Sequence, residues 1–266
     1  MSETTLLRYI GGKSLFAHEI TPYIKVPYTG VYVEPFVGGG SVGIAVASTT
    51  AYKNIRVILN DFDPDVANFW RHVIHPDKAE ANLLLERVQA MRPTLELHKQ
   101  MKASNPTDPG ERALRFWFLN RTSHAASFNK RPLGGRKQAN PNSDIASRFK
   151  PDLLIPEFKR VRQILAGRTE VYNEDFGVIM AKAQPDWAAY LDPPYFDRNL
   201  YDVSFSPADH ERLHRVLMAT PADWVLSYQE HETVLELYKD ADVRMLQANH
   251  AMHKRKRNEL IITPRK

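Results

Sequence analysis

Apolar and β-branched residues gather in short runs along the chain, each closed by acids, glycines, prolines or other turn formers. The runs are GVYVEPF (30–36), NIRVILND (54–61), TEVYNEDF (169–176), DWAAYLDPPY (186–195), DWVLSY (223–228), DVRMLQA (242–248) and NELIIT (258–263), and their composition is that of strands. Between several of them the apolar positions change to a helical period, at 41–47, 64–73, 155–165, 207–219 and 231–238. Strands alternating with helices predict an α/β sheet covered by helices on both faces. The last two runs follow one another without a helix, which predicts an antiparallel hairpin at one sheet edge.

The stretch 76–150 breaks this rhythm. It carries helical patterns in AEANLLLERVQAM (79–91) and ERALRFWFLNR (111–121), then the loop-rich NKRPLGGRKQANPNSDIASRF (129–149). The expected organisation is a core formed by 1–75 and 151–266, with 76–150 as an inserted, mostly helical subdomain. No internal repeat or long low-complexity tract is present.

Composition narrows the classes. The chain has 266 residues, 43% of them hydrophobic, enough for a sizeable core. It has no apolar run long enough to span a bilayer, and MSETTLLRYI lacks the plan of a secretion signal, so a soluble, cytoplasmic protein is expected. With no cysteine, disulfides, thiolate metal sites and cysteine nucleophiles are excluded; the ten histidines show no ligand spacing, and no metal is expected. The net charge is only +5, but basic residues concentrate in NKRPLGGRK (129–137) and HKRKR (253–257). For either cluster alone a solvated face or loop is the favoured reading over a set of phosphate contacts.

Five stretches carry candidate chemistry. Gly38, Gly39 and Gly40 lie between a strand and a helix, where they let a ligand approach the backbone. No Walker lysine follows, which disfavours a phosphate cradle. Asp61 ends the next strand about twenty residues on, the position of an acid that binds ribose hydroxyls; the alternative, capping the helix near Pro64, suits Asp63 better. Asp175 and Phe176 close a third strand, where the carboxylate could receive an adenine amine and the ring form an apolar wall. In RYIGGKS (8–14), Tyr9 could stack on a ring and Lys13 could meet a carboxylate or phosphate.

The fifth stretch is DPPY (192–195). Two prolines stiffen the backbone so that the Asp192 carboxylate and the Pro193 carbonyl can accept from one planar amine, while Tyr195 offers a stacking face. An exocyclic base amine is a poor nucleophile because its lone pair is delocalised. Acceptors on its hydrogens stabilise the positive charge that develops as it attacks, and the base must leave the duplex to reach them.

Taken in order, RYIGGKS, VEPFVGGGSV, NDFDPD, RALRFWFLNR, NEDF, LDPPY, VLSYQEHETVLELY and NELIIT resemble the Dam-like adenine-specific DNA methyltransferases, and the resemblance spans nearly the whole chain. It implies a Rossmann-like methyltransferase fold with a mixed seven-stranded sheet, S-adenosyl-L-methionine as cofactor, and double-stranded DNA as partner. It also implies methyl transfer to the 6-amino group of adenine with base flipping. The implied cofactor contacts are Tyr9, Gly12, Lys13, Pro35, Phe36, Gly38, Gly39, Gly40, Ser41, Asp61, Asp175, Phe176 and Asp192. The implied catalytic tetrapeptide is Asp192, Pro193, Pro194 and Tyr195.

Charge and position add Arg121, Lys130, Arg131, Arg136, Lys137, Lys254, Arg255, Lys256 and Arg257 as candidate DNA contacts. The chain departs from relatives that read GATC: after FLNR it has TSHAASFNKRPLGGRKQANPNS in place of their aromatic and glycine-rich segment, so GATC reading does not carry over. Alternatives that share these motifs are transfer to a cytosine, RNA-base or glutamine amine, and a DNA-binding regulator without catalysis. An orphan, restriction-modification or phage enzyme would look the same.

Overall fold

The computed structural model describes residues 5–9, 11–124, 131–135, 137–138, 140, 144–196, 205–248 and 257–265. In chain order the first elements are α1 (Ala17–Ile20), β1 (Val31–Glu34), α2 (Ser41–Ser48), β2 (Arg56–Asn60), α3 (Pro64–Val73), α4 (Lys78–Ala90) and α5 (Leu95–Ala103). There follow α6 (Pro109–Thr122), α7 (Ile145–Arg148), α8 (Pro151–Leu165), β3 (Thr169–Tyr172), α9 (Phe176–Met180) and β4 (Trp187–Leu191). The chain closes with α10 (Pro207–Ala219), β5 (Asp223–Tyr228), α11 (Glu232–Leu237), β6 (Asp242–Ala248) and β7 (Arg257–Thr263). These elements divide into two compact units, 13–62 with 168–266, and 1–12 with 63–167.

The first unit holds a seven-stranded sheet in the order β3-β2-β1-β4-β5-β7-β6. All neighbours from β3 to β5 run parallel, and β7 is antiparallel to both β5 and β6. The mixed seven-stranded sheet and the terminal hairpin expected from sequence are therefore present. Strand order reverses between β1 and β4, so the loops after these two strands diverge and leave a crevice at their carboxyl ends.

One sheet face, with Val33, Ile58, Ala189, Leu191, Trp224 and Leu226, is covered by Ile179, Leu213, Leu217 and Val234 of α9, α10 and α11. On the other face α2 lies so close to Tyr32 and Leu59 that a Cβ at Gly43 would stand 3.4 and 3.5 Å from their side chains. Each fully buried aliphatic or aromatic side chain contributes roughly 1.5–3 kcal/mol, and this two-sided burial explains why β1, β4 and β5 read as unbroken apolar runs.

The second unit is helical. Asp63, Asp77 and Asp108 each cap a helix by accepting a backbone N–H, so Asp63 rather than Asp61 serves the cap after β2. Trp117 of α6 sits with Phe69 and Phe158 at centroid distances of 5.4 and 5.6 Å, and its indole N–H donates to Leu6 O at 2.9 Å. The unit is wider than 76–150, because α3 and α8 bury Trp70, Leu154 and Phe158 within it. Helix α8 starts at Pro151, four residues before the periodic run, because a proline at the first helical position lacks only an N–H that would go unpaired anyway. Helix α5 was not marked by the apolar pattern: its sequence LELHKQMKA buries only His98.

Arg121, expected from its charge to contact DNA, lies in the interior of this unit. Its Nε donates to Arg148 O at 2.9 Å and its Nη1 to Thr5 O at 2.6 Å, and burial, with Arg8 and Arg148 adding, lowers its pKa to about 9. A guanidinium committed to main-chain carbonyls is a structural tie, and Arg121 does not belong with the DNA contacts. Arg121→Ala should destabilise the protein by about 2–4 kcal/mol, since it orphans buried carbonyls and opens a cavity. A urea midpoint unchanged from wild type would show that the tie contributes nothing.

Candidate active site

The carboxyl ends of β1, β2 and β3 are joined by one side chain. Asn60 is fully buried; its Nδ2 donates to Pro35 O at 2.9 Å and Glu174 O at 3.0 Å, and its Oδ1 accepts Glu174 N–H at 2.9 Å. The turn after β1 is held the same way, with Val37 N–H donating to Asn60 O at 2.8 Å and Gly38 N–H to Asp61 Oδ2 at 2.9 Å. Gly38 and Gly40 have φ of 42° and 65°, a region in which a Cβ would be strained, so glycine is required at both. Ser41 then begins α2 with Gly40 at its cap.

Around this turn the structure assembles Pro35, Phe36, Gly38, Gly39, Gly40, Ser41 and Asp61 with the start of α9. Phe36 and Phe176 are 5.4 Å apart between ring centroids, and Phe205 stands 5.6 Å from each. Asp175 caps α9 through Gly177 N–H at 2.8 Å, and its two oxygens accept from Arg212 Nη1 and Nη2 at 2.7 Å each. The Arg212 hydrogen bonds hold the Asp175 carboxyl below the usual range, while the guanidinium covers the Phe176 ring at 4.1 Å. Arg212, one of two arginines in an ordinary amphipathic helix, gave no sign of this in the sequence. Phe62, beside Asp61, is 58% exposed, an apolar ring left open at the lip of the crevice.

Across the strand-order switch, Asp192 follows β4. Its Oδ1 and Oδ2 accept from Lys13 Nζ at 2.7 and 2.9 Å, Oδ1 also receives the Tyr195 hydroxyl at 3.1 Å, and Ser227 Oγ lies 3.3 Å away. Lys13 Nζ also contacts the Tyr195 hydroxyl. Lys13 thus meets a carboxylate, one of the two partners its sequence context allowed, and that carboxylate is the protein's own. Pro193 is buried and Pro194 half-buried, stiffening the segment that presents Asp192 and Tyr195. Phe196, the next residue, is stacked between the rings of His210 and His231 at 3.6 and 4.6 Å, which anchors the end of the tetrapeptide.

Two buried acids complete the cluster. Glu259 of β7 accepts from the Tyr195 hydroxyl at 2.6 Å and lies 3.5 Å from Lys13 Nζ; burial pushes its pKa up to about 7, with Lys13 opposing and Asp192 adding. Glu34, the last residue of β1, accepts from the Tyr32 hydroxyl at 3.0 Å and is pushed up to about 8, chiefly by burial. Both were passed over in the sequence, although each is an acid inside an otherwise apolar run. Gly43 leaves room for Glu34: a Cβ there would stand 2.5 Å from Glu34 Oε2.

Tyr9 and Gly12 belong to the helical unit, where Gly12 N–H donates to Tyr9 O at 3.1 Å. Arg131 is exposed beside an isolated bridge between Ser123 and Pro132, and Lys137 is exposed in the following turn. Lys130, Arg136, Lys254, Arg255 and Lys256 fall outside the described residues, and of Arg257 only the backbone pairing with Ala248 is described. Among the described residues no group of three or more His, Asp or Glu is disposed to hold a metal, and no helix is long and apolar enough to cross a membrane.

The shift at Glu34 has a defined sign. Its folded pKa, about 8, exceeds the ordinary 4.5, so its contribution to stability is complete below pH 4.5 and is lost as pH rises through about 8. Glu34→Gln keeps an acceptor for Tyr32 and removes the ionisation. The stability of wild type relative to this variant should fall by a few kcal/mol between pH 5 and pH 9; a difference that stays constant across that range would contradict the assignment.

Residues 9–256 match the family model of the D12 class N6 adenine-specific DNA methyltransferases. The chain is 26% identical over 200 residues to a DNA adenine methylase of Vibrio cholerae, an alignment that takes in 73% of this chain but only 65% of the relative. It is 24% identical over 215 residues to the type II methyltransferase M.MjaIII of Methanocaldococcus jannaschii, covering 73% of this chain and 70% of that one. An rRNA methyltransferase, AviRa of Streptomyces viridochromogenes, superposes with a TM-score of 0.41 at 12% identity over 94% of this chain and 82% of that one. With the match extending over nearly all of its length, the chain belongs to the D12 class N6 adenine-specific DNA methyltransferase family.

Proposed function

We propose that the protein transfers a methyl group from S-adenosyl-L-methionine to the 6-amino group of adenine in double-stranded DNA, with the target base turned out of the duplex. The observation that carries this reading is the placement of two half-sites on either side of the strand-order switch. The glycine turn and Asp61 end β1 and β2, and Asp192 with Tyr195 ends β4.

The residues present fit the cofactor. Left-handed Gly38 and Gly40 clear the backbone, Asp61 beside that turn is the proposed partner of ribose hydroxyls, and Phe36, backed by Phe176, and Phe62 offer apolar faces for a purine. When bound, the cofactor supplies an electrophilic methyl group on a sulfonium. Tyr9, Gly12 and Asp175 remain proposed contacts, with Arg212 fixing which Asp175 lone pairs face a purine amine.

Asp192 has the acceptor role. An amine delocalised into its ring becomes nucleophilic as its hydrogens are drawn to acceptors and its developing charge is stabilised by a carboxylate. Lys13 makes this two-point approach in the present structure, so it must yield at least one Asp192 oxygen when the base enters. Tyr195 provides the stacking face, and Phe196, clamped between two imidazoles, limits how far that face can stray.

DNA contacts are proposed for Lys130, Arg131, Arg136 and Lys137 and for Lys254 to Arg257. Strand direction supports the second group. Because β6 runs parallel to β5, Ala248 and Arg257 open toward the same sheet edge as the end of β4. The helical stretch 76–150 is the proposed target-reading region, and a DNA substrate places the protein in the cytoplasm of a bacterial or phage-infected cell.

Asp192→Ala should reduce methyl transfer to adenine by at least about 10³-fold while DNA affinity stays near wild type; turnover retained in this variant would refute the acceptor role. Label appearing in cytosine or RNA instead would redirect the substrate assignment. Asp61→Ala should weaken S-adenosylhomocysteine binding by about tenfold or more, equivalent to roughly 1.4 kcal/mol, as read by calorimetry. Replacing Lys130, Arg131, Arg136 and Lys137 with alanine should lower the salt slope of DNA binding by about 0.9 for each phosphate that is no longer neutralised. An unchanged slope would return these residues to a solvated loop.

A further inference from the structure

Glu259 occupies a position the proposed chemistry leaves unused. The last β5–β7 pair is Tyr228 with Leu260, so Glu259 lies one residue beyond the edge of β5, toward the end of β4. It precedes three buried apolar residues, Leu260, Ile261 and Ile262, and is itself only 6% exposed. Burying a carboxylate is costly unless it has a task or a partner. Its nearest cation, Lys13, stands 3.5 Å away and is engaged more closely, at 2.7 Å, by Asp192. The contact that distinguishes Glu259 is to the Tyr195 hydroxyl at 2.6 Å, and that same hydroxyl lies 3.1 Å from Asp192 Oδ1.

We propose that Glu259 is a positioning residue that acts through the Tyr195 hydroxyl to set how strongly Asp192 accepts the target amine, and that it takes up the proton the amine loses. The proposal rests on the amine-methylation reading above. One hydroxyl proton serves two carboxylates. With Glu259 ionised, the phenol donates to Glu259 and leaves Asp192 Oδ1 with one donor fewer to compete with the amine. With Glu259 protonated, the carboxylic acid donates to the phenol oxygen, the phenol donates to Asp192, and the acceptor is partly occupied.

After transfer the nitrogen carries a positive charge and one proton too many. That proton passes to Asp192 Oδ1 and from there to the phenol oxygen, while the phenol proton moves to Glu259 Oε1. The net change is one N–H bond broken and one O–H bond formed on Glu259, with Asp192 restored as a carboxylate and no electrons exchanged. Groups facing Glu259 are Lys13 from the segment before α1, Tyr190 within β4, and Asp192 and Tyr195 after it. Burial and the Asp192 charge both raise its affinity for a proton, as the terminal acceptor of such a chain requires.

The test uses the full-length protein. Single-turnover methyl transfer should rise with pH through about 7 in wild type. Glu259→Gln, which keeps size and hydrogen bonding but cannot ionise, should lower the rate at pH 8 by about 10²-fold and abolish that rise. Binding of S-adenosylhomocysteine should stay within about twofold, and Glu259→Asp should recover part of the rate. Wild-type rate and profile in Glu259→Gln, or a lowered rate with the pH rise intact, would overturn the proposal.

Infrared difference spectra of the protein without ligands give an independent reading. A protonated carboxyl band titrating near pH 7 and absent from Glu259→Gln is expected, and no such band would overturn the proton-accepting role. A wild-type protein that methylates no nucleic acid would overturn the parent reading and the acceptor role with it, whereas the infrared result reports on Glu259 alone.

Discussion

The crevice depends on the amide of Asn60. One buried side chain with no solvent exposure donates twice and accepts once, tying Pro35 after β1 to Glu174 after β3 while itself ending β2. In a parallel sheet the carboxyl ends of strands present unpaired peptide groups, and loops leaving them have little to fix their relative positions. A fully satisfied amide at that point sets the glycine turn, Asp61 and Asp175 in one frame. An apolar residue of similar size would leave Pro35 O and Glu174 N–H and O without these partners, at about 1–3 kcal/mol for each group stranded away from water.

A second constraint is electrostatic. Asp192 and Glu259 lie around the buried Lys13, and burial raises the proton affinity of Glu34 and Glu259. Asp192 holds the two shortest carboxylate contacts to Lys13, and its proximity adds to the proton affinity of both glutamates. This distribution supports the proposed reading of Asp192 as the acceptor for an amine. Residues that are awkward for folding are in this way the ones useful for chemistry.

Aromatic rings divide the labour around this centre. Phe36, Phe176 and Phe205 form one cluster beside the glycine turn, and Phe196 with His210 and His231 forms another beside Asp192. Burial lowers the His210 pKa to about 4, so its ring stays neutral at physiological pH. The stack that anchors the tetrapeptide therefore does not carry a charge on that side.

Much of the architecture follows from local sequence. Unbroken apolar runs at β1, β4 and β5 reflect strands buried on both faces, the glycine triplet reflects left-handed backbone at Gly38 and Gly40, and Asp63 before Pro64 reflects a helix cap. These are properties of neighbouring residues, legible because period, capping and φ are local. Helix α5 was not legible, since LELHKQMKA has almost no apolar face, and neither was the extent of the helical unit, which depends on what Trp70 and Phe158 are buried against. Long-range pairing was hidden for the same reason. Nothing near Arg212 points to Asp175, nothing near Arg121 reveals that its donors end on Thr5 and Arg148, and Glu259 lies 64 positions from Tyr195. The sequence determined which groups could react and the strands that carry them; only the tertiary structure decided that Asp192 and Glu259 meet at the Tyr195 hydroxyl, because that depends on distances set by strand order.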